Sequence, residues 1–289
     1  MSLPTTGHWP LATPLLGPGA RSPTSGRQGY NSRVLVLRAL AMLSFVVVGV
    51  VDTIVMGSYG AVVGFVPPRG DWTLRGARWW ARGILLGGFV GLRSEGRERV
   101  PRGEPVVFMA NHESWLDIPA LLATIPVQVR FLAKKSLFKT PFLGWAISAM
   151  GFIPVDRENR REAVRSFEEA AARIRRGRSV LLFPEETRST DGRLLPLQRG
   201  GFLIAIKAGI PIVPVGIEGA GRCLGKHNYL IRPGTVTVRF GEPIPTAGRG
   251  VTEKGALMEQ VRLELERLRA HAGAAVAAGG DAGGVRNDH

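Results

Sequence analysis

His112 and Asp117 lie five positions apart in the run Asn111-His112-Glu113-Ser114-Trp115-Leu116-Asp117. A histidine titrates near neutral pH, and a carboxylate beside it can fix its tautomer and stabilise the imidazolium. Together the pair can therefore take a proton from a hydroxyl. On a regular helix, residues five apart point about 140° from one another, so contact between the two side chains requires a loop or tight turn. The same residues also fit a capped helix start, with Ser114 or Asp117 as the cap. No other histidine competes: His8, His271 and His289 lie in or near the chain ends, and His227 sits in the polar run Gly225 to Asn228. This set does not make a histidine-rich metal site. Cys223 is the sole cysteine, so an internal disulfide and a thiolate zinc cluster are both excluded, and a reduced cytosolic environment fits.

The elements that would position this pair follow from the apolar pattern. The run at 105–110 reads as a buried strand delivering His112 to a turn, and further strands are expected at 129–133, 180–183, 212–215 and 235–240. Helices are expected at 161–176, with Gly177 as a stop, at 200–208, and at 252–269 with Leu257, Val261, Leu265 and Leu268 on one face. Alternation of short apolar runs with helix-like stretches predicts an α/β domain over 93–269.

Ahead of it, 34–92 is expected to hold membrane-associated helices. The stretch 34–66 carries only Arg38 and Asp52 as charged residues. A span over about 35–56 is long enough to cross a bilayer. A helix pair that enters one leaflet and returns through the glycine-rich 57–64, or a buried core hairpin, fits the same stretch. At 69–82, Trp72, Trp79 and Trp80 alternate with Arg75, Arg78 and Arg82, a composition suited to the headgroup zone and also to an ordinary amphipathic surface helix. The segment 83–92 is too short to span and is expected to rest in the interface or against the domain. Residues 1–33 and the Ala/Gly tail 270–289 are expected to be disordered.

With 38 Lys and Arg against 23 Asp and Glu, the chain carries a net charge of +15. An anionic partner is expected, and a phospholipid surface fits better than nucleic acid, for which no binding module is recognisable.

Three further groups fall at or just after predicted strands, where open α/β sheets place their sites. They are Gly151 to Arg157 (GFIPVDR), Phe183 to Ser189 (FPEETRS) and Val213-Pro214-Val215. Singly, each reads as an ion pair, a helix start or a strand end. In this order with His112 to Asp117, and with Ala133 to Trp145 between the first two, they resemble the glycerolipid acyltransferase family over about 93–245. The 1-acyl-sn-glycerol-3-phosphate acyltransferases are its best-known members. The resemblance implies a central mixed, mostly parallel sheet flanked by helices. It also implies transfer of a fatty acyl group from acyl-CoA or acyl-carrier protein to the free hydroxyl of a lysophospholipid, most often 1-acylglycerol-3-phosphate.

In that reaction His112 would be the base and Asp117 its orienting partner. Arg188, Arg157 and Lys134 are candidates for the acceptor phosphate, with Thr187 beside them. Glu185 would hold Arg188 or bind a glycerol hydroxyl. Ser114 stays open as an acyl carrier. No metal or organic cofactor is implied, since the thioester is already activated. The partners implied are the membrane surface, the lysophospholipid and the acyl donor. The catalytic domain is expected on the cytoplasmic side of the cell membrane, by a small excess of arginine after the span.

Two other readings remain: transfer to another lyso-lipid, such as a lyso-ornithine lipid, or a catalytically silent lipid-binding protein. A hydrolase is disfavoured by the lack of a G-x-S-x-G elbow. The third motif departs from the family's usual FPEGTRS at Glu186, where glycine would permit a tight approach or a positive φ. Glutamate there is expected to lose it.

Overall fold

The computed structural model describes residues 32–278 except 65, 67–69, 157–164, 167–168, 173, 175 and 228–229. The expected disorder of 1–33 and 270–289 lies outside the described residues for 1–31 and 279–289; Ser32 and Arg33 are instead the start of a helix. The expected helix at 161–176 lies partly outside them; its described part is helical at 165–166, 169–172 and 174 and buries Ala170, Ala171 and Ile174.

Among the described residues, seven strands form one sheet. They are β1 (Val90–Glu95), β2 (Val107–Ala110), β3 (Val129–Lys134), β4 (Ile153–Val155), β5 (Ser179–Leu182), β6 (Ile212–Glu218) and β7 (Gly234–Phe240), in the order β1-β7-β6-β2-β5-β3-β4. Every pairing is parallel except β6 with β7. The expected mixed, mostly parallel sheet is therefore present. Strands β2 and β5 are buried at every position, as central parallel strands covered on both faces must be. One apolar cluster lies under Phe108, Val213, Val215 and Val238, and the other under Val107, Met109, Val180 and Ile212.

Two strands were not expected. β4 has only three residues, too few to show a period. β1 arises where 83–92 packs against the domain, the second of its two expected placements: Gly87 ends helix α2 (Asp71–Gly87), Phe89 turns at φ +54°, and the chain enters the sheet at Val90. The boundary drawn at 92/93 thus cuts a strand. Its outer residues are mostly exposed, which hid it from an apolar pattern.

Helix α1 (Ser32–Val63) is continuous through the glycine-rich stretch, so the re-entrant pair is not formed. Its glycines serve close approach instead. A Cβ on Gly57 would meet the Phe142 carbonyl at 3.0 Å, and one on Gly64 would meet Ala149 Cβ at 2.9 Å. Helix α4 (Leu143–Ala149) therefore packs directly on the α1 backbone. The other side of α1 leaves Leu37, Leu40, Val47, Val51 and Val62 exposed. That exposure excludes the core hairpin.

Helix α2 lies between α1 and the domain, burying Leu74, Ala77, Ala81 and Leu85. Asp71 Oδ1 at its start accepts from Arg130 Nη2 of β3 at 2.8 Å and from Arg178 Nη1, just before β5, at 2.7 Å. Two of the residues expected at headgroups turn inward. Arg78 donates to the carbonyls of Ile125 and Val127, satisfying the end of helix α3 (Asp117–Thr124), and Trp80 Nε1 donates to Thr53 Oγ1 of α1. Trp79, 67% exposed, keeps the outward position, with Arg82 over its ring.

Helix α5 (Arg199–Ala208) and the short α6 (Ala220–Cys223) flank β6. Helix α7 (Lys254–Ala278) buries Leu257, Val261, Leu265 and Leu268. It continues to Ala278, beyond Arg269 and into the stretch expected to be disordered, as the high helix propensity of alanine allows.

Candidate functional site

The site lies at the carboxyl ends of β2, β5 and β6, adjacent parallel strands with β2 between the other two. Asn111 fastens the end of β2 to β6: its Oδ1 accepts the Ile217 N–H at 2.7 Å and its Nδ2 donates to the Ile217 carbonyl at 2.9 Å. The chain then leaves the sheet in a non-helical turn, and α3 begins only at Asp117. Across that turn His112 Nδ1 and Asp117 Oδ2 are 2.7 Å apart. The same Oδ2 accepts the backbone N–H groups of Glu113 at 2.7 Å and Ser114 at 2.9 Å.

The helix-cap reading is not realised. Leu116 is the N-cap and has no side-chain cap bond. Ser114 Oγ accepts the Leu116 N–H and donates to the Leu224 carbonyl at 2.6 Å, fully buried. That hydroxyl is committed, which removes Ser114 as an acyl carrier.

The β5 loop clamps the same turn. Glu185 Oε1 accepts the His112 N–H and Oε2 the Leu195 N–H, each at 2.7 Å, while the Ser189 N–H donates to the His112 carbonyl at 2.8 Å. Glu185 therefore neither holds Arg188 nor lines the cavity beside His112. Its carboxylate satisfies backbone donors. Burial raises its pKa, opposed mainly by those two N–H groups. Phe183 stacks on the imidazole with ring centroids 4.0 Å apart, fixing the ring plane.

His112 opens onto a cavity of about 410 Å³ whose walls are mainly apolar. Phe45, Met56 and Gly57 of α1, Ala77 and Trp80 of α2, and Ile147 of α4 contribute to it. Arg188 and Lys134 line the same cavity. The Arg188 guanidinium stacks over Trp115 at 4.7 Å, and its Nη1 is buried without a hydrogen-bond partner among the described residues. Thr187 is exposed and accepts from Lys226 Nζ at 3.3 Å, and the same ammonium donates to the Arg188 carbonyl at 2.8 Å. Arg157 lies outside the described residues.

A sequence model of the family described as Acyltransferase matches residues 91–218. The 1-acyl-sn-glycerol-3-phosphate acyltransferase of Saccharomyces cerevisiae is 30% identical over 239 residues, covering 82% of this chain and 76% of that protein. The chain belongs to this acyltransferase family.

Among other family members, the human 1-acyl-sn-glycerol-3-phosphate acyltransferase beta is 31% identical over 184 residues, 63% of this chain and 66% of that one. The chloroplastic enzyme of that name from Brassica napus is 36% identical over 170 residues, 58% of this chain. This chain spans about half the length of such plant relatives, 49% in that case. The crystal structure of the 1-acyl-sn-glycerophosphate (LPA) acyltransferase PlsC from Thermotoga maritima superposes with a TM-score of 0.70 at 27% identity, over 81% of this chain and 97% of that one.

Placed on this acyltransferase fold, the predicted residues divide into groups. His112, Arg188 and Lys134 line one cavity, Asp117 and Glu185 hold His112 without lining it, and Thr187 is exposed and paired with Lys226. Several supporting roles were not legible in the sequence, even where the residue lay in a motif, as Phe183 does. Phe183 reads as the last residue of a strand, and Trp115 as an ordinary loop aromatic. Lys226 is separated from Arg188 by long-range topology. Glu186 keeps a positive φ of +57° although it is not glycine, so the tight turn expected to be lost is preserved under strain. Among the described residues, no group of three or more His, Cys, Asp or Glu side chains could hold a metal ion.

Proposed function

We propose that the chain transfers a fatty acyl group from a thioester, acyl-CoA or acyl-carrier protein, to the free hydroxyl of 1-acylglycerol-3-phosphate, giving phosphatidic acid. The observation that carries this reading is the 2.7 Å contact of His112 Nδ1 with a buried Asp117 at the mouth of a mostly apolar cavity that Arg188 also lines. With Nδ1–H directed at Asp117, Nε2 is the acceptor. The acceptor hydroxyl gives its proton to Nε2 as its oxygen attacks the thioester carbonyl. The carbon–sulfur bond then breaks, and the departing thiolate takes the proton back from the imidazolium. Asp117 stabilises that imidazolium. The thioester is activated already, so no cofactor enters these steps.

The unpartnered Nη1 of Arg188 supports a role in binding the acceptor phosphate, with Lys134 as a second cation in the same cavity. The acyl chain would lie among α1, α2 and α4. Helix α1 is long and apolar enough to cross a membrane over Val36–Val63. As a membrane anchor it would set the cavity walls formed by Phe45 and Met56 within the depth of the bilayer. An acceptor chain could then enter without leaving the leaflet. Arg75 and Arg82 follow the span and favour a catalytic domain on the cytoplasmic side.

The test is transfer from labelled acyl-CoA and acyl-carrier protein to a panel of lysophosphatidic acid, other lysophospholipids and lyso-ornithine lipid. Wild type is expected to favour lysophosphatidic acid, and His112→Ala to lose about a thousandfold. Transfer to none of them by wild type would reject the reading, and preference for a lyso-ornithine lipid would change the acceptor.

A further inference from the structure

The catalytic turn is tied to a part of the chain beyond the family match at 91–218. Arg269, on α7, donates through Nη2 to Glu113 Oε1 at 3.0 Å, and the same nitrogen reaches the Gly192 carbonyl of the loop after β5. Both side chains are largely buried, 17% and 12% exposed. Glu113 Oε1 also accepts from Asn111 Nδ2 at 3.3 Å, and the Glu113 backbone N–H is one of the three donors on Asp117 Oδ2. A chain of direct contacts therefore runs from Arg269 through Glu113 to the carboxylate that orients His112.

The helix that carries Arg269 is firmly seated. Leu265 and Leu268 are buried, and a Cβ on Gly216 of β6 would stand 2.6 Å from Leu268 Cβ. The part of α7 that reaches the site is thus pressed against the strand whose carboxyl end holds Asn111.

Electrostatics gives the arrangement a purpose. Two carboxyl groups touch His112, Asp117 at the ring and Glu185 at the backbone N–H, and a third, Glu113, acts on Asp117. Glu113 faces Asp117 on its own turn, Arg269 on α7 and the Gly221 N–H on α6. Burial and then Asp117 raise its pKa, and Arg269 is the charge that opposes them. The same guanidinium acts on Glu185. Removing one partner of a buried pair leaves the other charge uncompensated.

We propose that Arg269 is a positioning residue of this acyltransferase: through Glu113 and the Gly192 loop it holds the His112–Asp117 turn in its working shape. The inference rests on the acyl-transfer reading for its kinetic consequence, while its structural content can be measured without turnover.

The full chain, in detergent micelles or reconstituted membranes, would be compared as wild type, Arg269→Lys, Arg269→Leu, Glu113→Gln and the double variant Glu113→Gln with Arg269→Leu. Arg269→Leu is expected to lower kcat about tenfold or more with the acceptor KM within about twofold, the mark of lost positioning and not of lost binding. Its acid limb should move to higher pH, because Glu113 is left without its cation. Arg269→Lys should recover most of the loss. The double variant should come within about threefold of Glu113→Gln alone, since a neutral amide needs no counter-ion. An unchanged kcat and pH profile in Arg269→Leu, or losses that simply add in the double variant, would overturn the proposal.

Should Arg269→Leu fail to fold, Arg269→Lys and the double variant carry the same comparison. A wild type without acyl transfer would instead overturn the acyltransferase reading. The positioning claim would then be decided by the NMR chemical shifts of the His112 imidazole in histidine-labelled protein, which should move in the double variant and stay near wild type in Arg269→Lys. No movement in the double variant would reject it.

Discussion

One carboxylate oxygen, Asp117 Oδ2, takes the His112 ring N–H and two backbone N–H groups, and Asp117 is fully buried. It is at once the orienting partner of the base and the pin of the turn. Asp117→Asn should therefore lose transfer about a thousandfold and also lower stability by about 1–3 kcal/mol, read as kcat and as a thermal midpoint. Loss of stability alone, with full kcat, would contradict the role given to His112.

Glu186 offers the opposite sign. Its φ of +57° is one of three positive values at non-glycine residues among the described chain, so Glu186→Gly should stabilise the fold by up to about 1 kcal/mol. Transfer should stay within about twofold of wild type, because Glu186 does not line the His112 cavity. A lower midpoint in Glu186→Gly would show that the glutamate side chain matters more than its backbone.

A third outcome concerns pH. A carboxyl whose pKa is raised on folding gives stability present below its ordinary value and lost as pH climbs through the raised one. Burial raises Glu113 in this way. The midpoint of Glu113→Gln relative to wild type should therefore improve as pH rises through and above the ordinary carboxylate range, and a flat difference would mean that Glu113 does not titrate on unfolding.

At the scale of elements, the sequence was legible where strands are buried on both faces. The runs in β2, β5 and β6 and the core face of α7 all announce themselves by apolar period. So did the positions of His112, Asp117 and Arg188 after strand ends, because open sheets expose those ends. The identity of each residue's partner was not legible. Glu185 clamps the His112 and Leu195 N–H groups because β5 lies beside β2, a neighbour relation no local pattern encodes, and Arg78 turned inward because α3 ends beneath it.

The cavity is likewise a property of packing. It exists because glycines at α1 and small residues on α2 let three helices meet around a gap. Ala77→Leu, placed on its α2 wall, should shorten the preferred acyl chain, with kcat for the shortest effective chains near wild type. The measurement is a competition among acyl donors and lyso-acceptors of graded length. An unchanged length profile for both would show that the cavity does not hold the chain.

For the molecule as a whole, the question is whether α1 crosses the bilayer or lies along it. The apolar stretch Val36–Val63 has 28 residues, about 42 Å at 1.5 Å per residue, against about 30 Å for the hydrocarbon core. A tilted span accommodates the excess. Its exposed apolar side chains are spread along the full length of the helix, from Val36 to Val62, so no purely polar end would suit an interfacial position.

The net charge of +15 adds attraction to anionic lipid, but that attraction is screened by salt and cannot hold the chain once salt is high. Wild type is therefore expected to remain in the membrane pellet after washes in high salt and in alkaline carbonate. Val47→Lys combined with Val51→Lys, both on the exposed side of α1, would cost about 3 kcal/mol for each lysine near the bilayer centre. That pair should shift the chain to the carbonate supernatant, while Val47→Leu with Val51→Leu should stay in the pellet. Release of wild type by carbonate would mean that α1 lies in the interface. The cavity wall it forms would then meet the acceptor from the headgroup side and not from within the leaflet.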